Sequence, residues 1–268
     1  MMTDLRNFTI SSTNPCLIIF LIDQSGSMTE RFGNASHTKS KEVANAINEL
    51  LYEVGLRCYS GDEVKNRFEI GIIGYGKESK VESGWEGTLS NKWLVSIKNI
   101  FEHPLGEEDG RPIWISPVAS GSTPMKKAFE NAKRLCQDWI NWGNHRECHP
   151  PIIINITDGE ATDSGRNHQD LMREVDELKQ QRTNYGQINI LNIHISDRNA
   201  DRVLFPNEVS NSGNEFSRLL FDMSTPLNEN MVRIALQKGY NIPNNSIGYI
   251  YNGNAVDLIN FLNIGTPQ

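Results

Sequence analysis

The apolar positions of this chain form short continuous runs that alternate with longer segments in which they recur every three or four residues. Three largely continuous runs, over residues 16–22, 68–75 and 152–156, and one alternating run, over residues 188–195, predict strands. A strand that is apolar on both faces is typical of a parallel sheet covered on both sides. The pattern therefore predicts an α/β fold with a doubly wound, mainly parallel central sheet and helices on both faces.

Segments with a period of three to four residues lie between these runs and predict amphipathic helices. The clearest of them cover residues 40–57, 124–142 and 169–181. At the start of the second helix, Thr123 is a candidate N-cap and Pro124 fits the first helical position. Its apolar stripe predicts that Leu135 and Trp139 are buried.

The pattern is weaker in two parts of the chain. Residues 76–118 predict an edge strand followed by a short helix or an irregular insertion, with an acidic turn near 106–110. Beyond residue 197, the segments that look helical are 215–221, 230–236 and 255–262. We expect a single domain over residues 1–268, with a core at about 14–197, an insertion at about 76–118 and a C-terminal extension at about 198–268.

Oxygen-bearing side chains stand where two of the predicted strands end. Asp23, Ser25 and Ser27 follow the first strand, Asp158 follows the strand at 152–156, and Thr123 precedes a helix. If the two strands are neighbours, both carboxylates face one crevice at the carboxyl edge of the sheet. Oxygen donors of this kind suit a hard divalent cation, above all Mg²⁺. Taken singly, each piece is better explained as a capping, turn or ordinary loop residue.

The motif Asp23-Gln24-Ser25-Gly26-Ser27, followed in order by Thr123 and Asp158, resembles the metal-ion-dependent adhesion site of the von Willebrand factor A family. The resemblance implies a Rossmann-like fold and a Mg²⁺ or Mn²⁺ ion. Ser25, Ser27 and Thr123 would ligate the ion directly, while Asp23 and Asp158 would act largely through water or as hydrogen-bond acceptors. The open position of the ion would take a carboxylate from a partner protein. The implied function is binding without catalysis.

Composition and charge narrow the class of protein. The net charge of −7 argues against a general nucleic-acid binder, which needs clustered Lys and Arg. The N-terminus lacks an apolar signal core and no run could cross a bilayer, so we expect no membrane association, a cytoplasmic location and four reduced cysteines. The chain also resembles the bacterial tellurite-resistance-associated A-domain proteins, which implies a Ser/Thr protein kinase or a PP2C-type phosphatase as candidate partners.

Two other functions stay open at this point. A divalent ion flanked by carboxylates can activate water for phosphoester hydrolysis, although the chain has neither a phosphate-binding P-loop nor a G-x-S-x-G nucleophile turn. The chain could instead be a structural subunit with a vestigial site. A zinc site at His145, Cys148 and His149 is a weaker hypothesis, because their spacing matches no standard finger and a solvated loop explains them better.

The predicted site also carries an expectation about stability. Without a metal ion, Asp23 and Asp158 would face each other as like charges in one crevice, and like charges destabilise one another. Removing the carboxylate of Asp158 should then leave the stability of the metal-free protein unchanged or slightly raised.

Overall fold

The computed structural model describes residues 9–33, 36–165, 167–196, 202–209 and 215–267. The strands are β1 (Cys16–Asp23), β2 (Tyr59–Ser60), β3 (Glu63–Val64), β4 (Phe68–Tyr75), β5 (Val81–Ser83), β6 (Leu94–Ser96), β7 (Gly106–Glu108), β8 (Arg111–Ile113), β9 (Ile152–Thr157), β10 (Arg182–Thr183), β11 (Gly186–Gln187), β12 (Asn189–Ile195), β13 (Val203–Leu204) and β14 (Tyr249–Gly253). The helices are α1 (Lys39–Cys58), α2 (Ile97–Glu102), α3 (Met125–Asn141), α4 (Gln169–Gln180), α5 (Glu215–Met223), α6 (Glu229–Gln237) and α7 (Ala255–Gly265).

The central sheet has the order β13-β14-β12-β9-β1-β4-β5, and β6 also pairs with β4. Its inner strands, from β14 to β4, are parallel, and the short strands β5, β6 and β13 add antiparallel edges. The prediction of a mainly parallel, doubly wound α/β sheet is therefore confirmed. From β1 the chain winds towards β4, whereas from β9 it winds towards β12, so a crevice opens where β1 and β9 end.

Each face of the sheet carries its own hydrophobic core. Alternate residues of β1 point to opposite faces, so that Ile18 and Phe20 pack with α1 and α7, whereas Leu17 and Ile19 pack with α3, α4 and α5. Every residue of β1 is buried, which explains why its sequence is apolar without alternation. Leu135 and Trp139 of α3 are 8% and 3% exposed, and this confirms the burial predicted for them.

The weakly patterned regions contain more sheet than the sequence indicated. In the C-terminal region, which was expected to be helical beyond residue 197, β14 pairs in parallel with β12 inside the central sheet. The predicted acidic turn near 106–110 is the tip of a hairpin formed by β7 and β8. Residues 1–8 lie outside the described part of the chain. Among the described helices, none is both long and apolar enough to cross a bilayer.

Candidate functional site

The two predicted carboxylates stand at the ends of neighbouring strands. Asp23 is the last residue of β1, Asp158 directly follows β9, and β1 pairs with β9 in parallel. Asp23 is fully buried, and its two carboxylate oxygens have different partners. Oδ1 accepts the backbone N–H of Ser25 at 2.8 Å, and Oδ2 accepts the hydroxyl of Thr157 at 2.7 Å. Asp23 thus fixes the start of the loop that carries the serines.

The hydroxyls of that loop lead from β1 across to β9. Ser25 Oγ and Ser27 Oγ lie 3.1 Å apart, and Ser27 Oγ donates to Asp158 Oδ1 at 2.6 Å. Gly26 separates the two serines, and Ser27 lies within a short 3-10 turn, Gly26–Thr29. Three of the five predicted ligands are therefore joined by direct side-chain hydrogen bonds. Asp23, the fourth, accepts the backbone N–H of Ser25.

The loop before α3 packs against the serine loop through backbone contacts. Gly26 N–H donates to Gly121 O at 3.0 Å, and Ser120 N–H donates to Gln24 O at 2.7 Å. Gly121 has φ +82°, and a Cβ there would lie 2.3 Å from a backbone oxygen of Gly76, so only glycine lets the loop before α3 approach the loop after β4 so closely. Thr123 follows in this loop and is 6% exposed. Within the described ranges, its hydroxyl has no hydrogen bond to the other predicted ligands.

Thr123 is not the N-cap of α3, which corrects the sequence prediction. The helix begins at Met125, and Pro124 occupies the N-cap position without a side-chain cap bond. Asp163 supplies the cap from the loop after β9 instead, because its Oδ1 and Oδ2 accept the N–H groups of Lys126 and Lys127, each at 3.0 Å. The observed cap ties the Asp158 loop to the helix that follows Thr123.

A buried lysine completes the site, and no sequence pattern predicted it. Lys39 is the first residue of α1, and its side chain is 5% exposed. Its Nζ donates to Asp158 Oδ2 at 2.9 Å and to Glu30 Oε2 at 2.7 Å. Burial by itself lowers the pKa of Lys39, but the hydrogen bonds to Glu30 and Asp158 outweigh this effect and hold the pKa above its ordinary value. Lys39 is therefore a cation in direct contact with a predicted metal ligand.

The charge of Asp23 is less well compensated than that of Asp158. Burial, together with the nearby charge of Asp158, raises the pKa of Asp23 to about 6, although hydrogen bonds from Ser25 and Thr157 favour the ionised form. The like-charge interaction expected from the sequence is thus present. An additional cation in this crevice would relieve it.

The donor set fits a hard cation better than a soft one. Three hydroxyls and two carboxylates offer oxygen only, as Mg²⁺ and Mn²⁺ prefer. Among the described residues, no three His, Cys, Asp or Glu side chains are grouped so that they could hold a metal ion. No such group therefore supports the zinc hypothesis at His145, Cys148 and His149. Any ion in the crevice would therefore depend on the hydroxyls of Ser25, Ser27 and Thr123.

Comparison with known proteins places the chain in a structural context. The sequence model of the von Willebrand factor type A domain family matches residues 18–160, which include all five predicted ligands. No curated protein sequence matches. Among solved structures, the pilus adhesin SpaC from Lactobacillus rhamnosus GG aligns with a TM-score of 0.50 at 13% identity, over 93% of this chain and 30% of that one.

Two further structures are more distant. The minor pilin PilB from Streptococcus sanguinis aligns with a TM-score of 0.47 at 10% identity, over 93% of this chain and 60% of that one. The manganese-loaded TRAP protein of Plasmodium vivax aligns with a TM-score of 0.36 at 13% identity, over 68% of this chain and 58% of that one. This chain thus spans less than a third of the length of SpaC.

Proposed function

Because the chain belongs to the von Willebrand factor type A domain family, we propose that it is a metal-ion-dependent protein-binding module. Asp23, Ser25, Ser27, Thr123 and Asp158 would hold one Mg²⁺ or Mn²⁺ ion. The observation that carries the proposal is the hydrogen-bonded series from Ser25 through Ser27 to Asp158, which spans the crevice between β1 and β9. This crevice is where a doubly wound sheet binds its ligands.

The ion would supply an electrophilic position for an acidic side chain of the partner. Neutral hydroxyls in contact with it leave most of its charge uncompensated, and Mg²⁺ keeps several exchangeable waters. The protein's own part is to orient the donors. Asp23 holds the serine loop through the Ser25 N–H, Thr157 fixes the Asp23 carboxylate, and Asp163 ties the Asp158 loop to α3.

The partner in this proposal is a protein with an exposed Asp or Glu that can enter the crevice. A Ser/Thr kinase or a PP2C-type phosphatase is the candidate that the resemblance to tellurite-resistance-associated proteins suggests. We also propose a cytoplasmic location, which is supported by four buried cysteines with free thiols.

The experiment is a comparison of partner capture from native lysate, with Mg²⁺ or with chelator. Wild-type protein should capture a partner only with metal. Thr123→Ala should lose capture, because it removes one proposed ligand without disturbing a helix cap. Thr123→Ser keeps the hydroxyl and is the matched control that should retain capture.

The same samples distinguish the alternatives. Capture that is equal with chelator and with Mg²⁺, in the wild type and in Thr123→Ala, would contradict a metal-dependent site and favour a structural subunit. Turnover of a phosphoester panel that requires Mg²⁺ and Thr123 would instead favour a hydrolase.

A further inference from the structure

Lys39 is unusual both for its position and for its burial. It stands in the first turn of α1, where the helix dipole disfavours a cation. Its side chain is 5% exposed, although lysine is almost never buried unless it is paired. A lysine placed against both tendencies needs strong local compensation.

Two carboxylates that accept hydrogen bonds from the ammonium supply that compensation. Glu30, whose side chain is 60% exposed, accepts at 2.7 Å, and Asp158, whose side chain is fully buried, accepts at 2.9 Å. The other oxygen of Asp158 accepts the Ser27 hydroxyl. Both Asp158 oxygens are therefore engaged by donors of this chain.

We propose that Lys39 is the internal counter-ion of the site, which holds Asp158 in place without metal and opposes the entry of a divalent cation. This inference rests on the proposed function, since it concerns the same ligands. Lys39 Nζ contacts Asp158 directly, so its positive charge acts on any ion that Asp158 helps to hold. The consequence is a site of moderate affinity, which fills and empties as the metal concentration or the partner changes.

The expected magnitude follows from Coulomb's law. A unit charge and a divalent ion that share one carboxylate repel each other by an amount that corresponds to roughly tenfold in affinity, even at the dielectric constant of water. Removing the lysine charge should therefore tighten binding of Mg²⁺ by roughly tenfold or more. It should also lower the stability of the metal-free protein, because Asp158 would lose its counter-ion.

The test is calorimetric titration of metal-stripped protein with MgCl₂, together with melting curves in chelator and in Mg²⁺. Lys39→Met removes the charge and the donor, whereas Lys39→Gln removes the charge and keeps a donor, in case the methionine variant does not fold. Both should bind Mg²⁺ more tightly than the wild type and show a larger metal-induced rise in melting temperature. Lys39→Arg keeps the charge and should show no tighter binding.

Lys41→Met is the matched control on the same helix. Lys41 pairs with Glu108 at the surface of the hairpin and does not contact the predicted ligands, so its removal should leave the affinity unchanged. A purely structural ion pair at Lys39 would lower stability in both conditions and leave the affinity for Mg²⁺ as it is.

The outcomes separate this inference from the proposed function. Tighter binding in Lys39→Met or Lys39→Gln supports it, even if the wild type binds no metal, a result that would refute the proposed function alone. If the wild type binds Mg²⁺ and both neutral variants bind it with equal or weaker affinity, the inference about Lys39 is overturned and the proposed function stands. Absence of Mg²⁺ binding in the wild type, Lys39→Met and Lys39→Gln overturns both this inference and the proposed function.

Discussion

The cap that Asp163 provides to α3 gives a prediction that can be worked out from the structure. Its two carboxylate oxygens accept the N–H groups of Lys126 and Lys127, which are among the donors that a helix start leaves unpaired. Loss of a side-chain cap costs about 0.5–2 kcal/mol, and loss of a negative charge at a helix N-terminus costs about 0.3–1 kcal/mol. We expect Asp163→Ala to lower the free energy of unfolding by about 2 kcal/mol.

The assay is urea unfolding of metal-stripped protein, followed by circular dichroism. Asp163→Asn keeps an acceptor oxygen but loses the charge, and it should show an intermediate loss. Asp138→Ala makes the same substitution at an exposed position in the last turn of α3, where a carboxylate caps no N–H group, and it should not lower stability. If Asp163→Ala unfolds at the same urea concentration as the wild type, the assignment of the cap is wrong.

Three further predictions follow from buried groups. Trp139→Ala should lower stability by about 3–5 kcal/mol in urea unfolding, since this side chain is 3% exposed and its Nε1 donates to Glu69; a wild-type midpoint would contradict this. Burial lowers the pKa of His149 from 6.5 to about 4, so the unfolded chain takes up a proton first and stability falls as the pH drops through this range. Between pH 7 and pH 4.5, the free energy of unfolding of His149→Gln should fall by about 3 kcal/mol less than that of the wild type. The comparison with this variant is needed because the raised pKa of Asp23 changes stability in the opposite direction over the same range. Asp158→Ala should destabilise the metal-free protein by about 3 kcal/mol, as it leaves Lys39 buried with one partner, and a melting temperature in chelator at or above that of the wild type would refute this.

The last of these predictions reverses the expectation from the sequence. Like charges at Asp23 and Asp158 suggested that removing one carboxylate would be neutral or favourable. The structure places Lys39 against Asp158, so the loss of a buried ion pair outweighs the relief of that repulsion. The partner of Asp158 could not be predicted, because it lies 119 residues away in the sequence and a lysine at a helix start usually faces solvent.

Long, uniform patterns were the predictable part of the fold. The strand β1 and the helix α1 carry their burial in their own sequences, as a continuous apolar run and a helical stripe. The strand β14 was missed because its tyrosines and asparagine lie among turn-forming residues, and its burial comes from pairing with β12. The order of strands around β1 depends on such pairing. The sequence could therefore predict the crevice only on the condition that the strands carrying Asp23 and Asp158 are neighbours.

The candidate site shows the same division. The motif that begins at Asp23 identified the crevice, because its residues are adjacent in sequence and follow a buried strand. The cap at Asp163 depends on contacts across 37 and 36 residues, and neither end of those contacts has a distinctive local pattern. Local chemistry could therefore be read from the sequence, but the partners that hold it in place could not.

The central claim is that these oxygens bind one divalent ion, and calorimetric titration of metal-stripped wild-type protein with MgCl₂ tests it most directly. We predict saturable binding of one Mg²⁺ per chain, with the heat lost in Ser25→Ala and Ser27→Ala while both variants still unfold cooperatively in chelator. Absence of binding by the wild type across millimolar Mg²⁺ and Mn²⁺, or unchanged affinity in both serine variants, would contradict it.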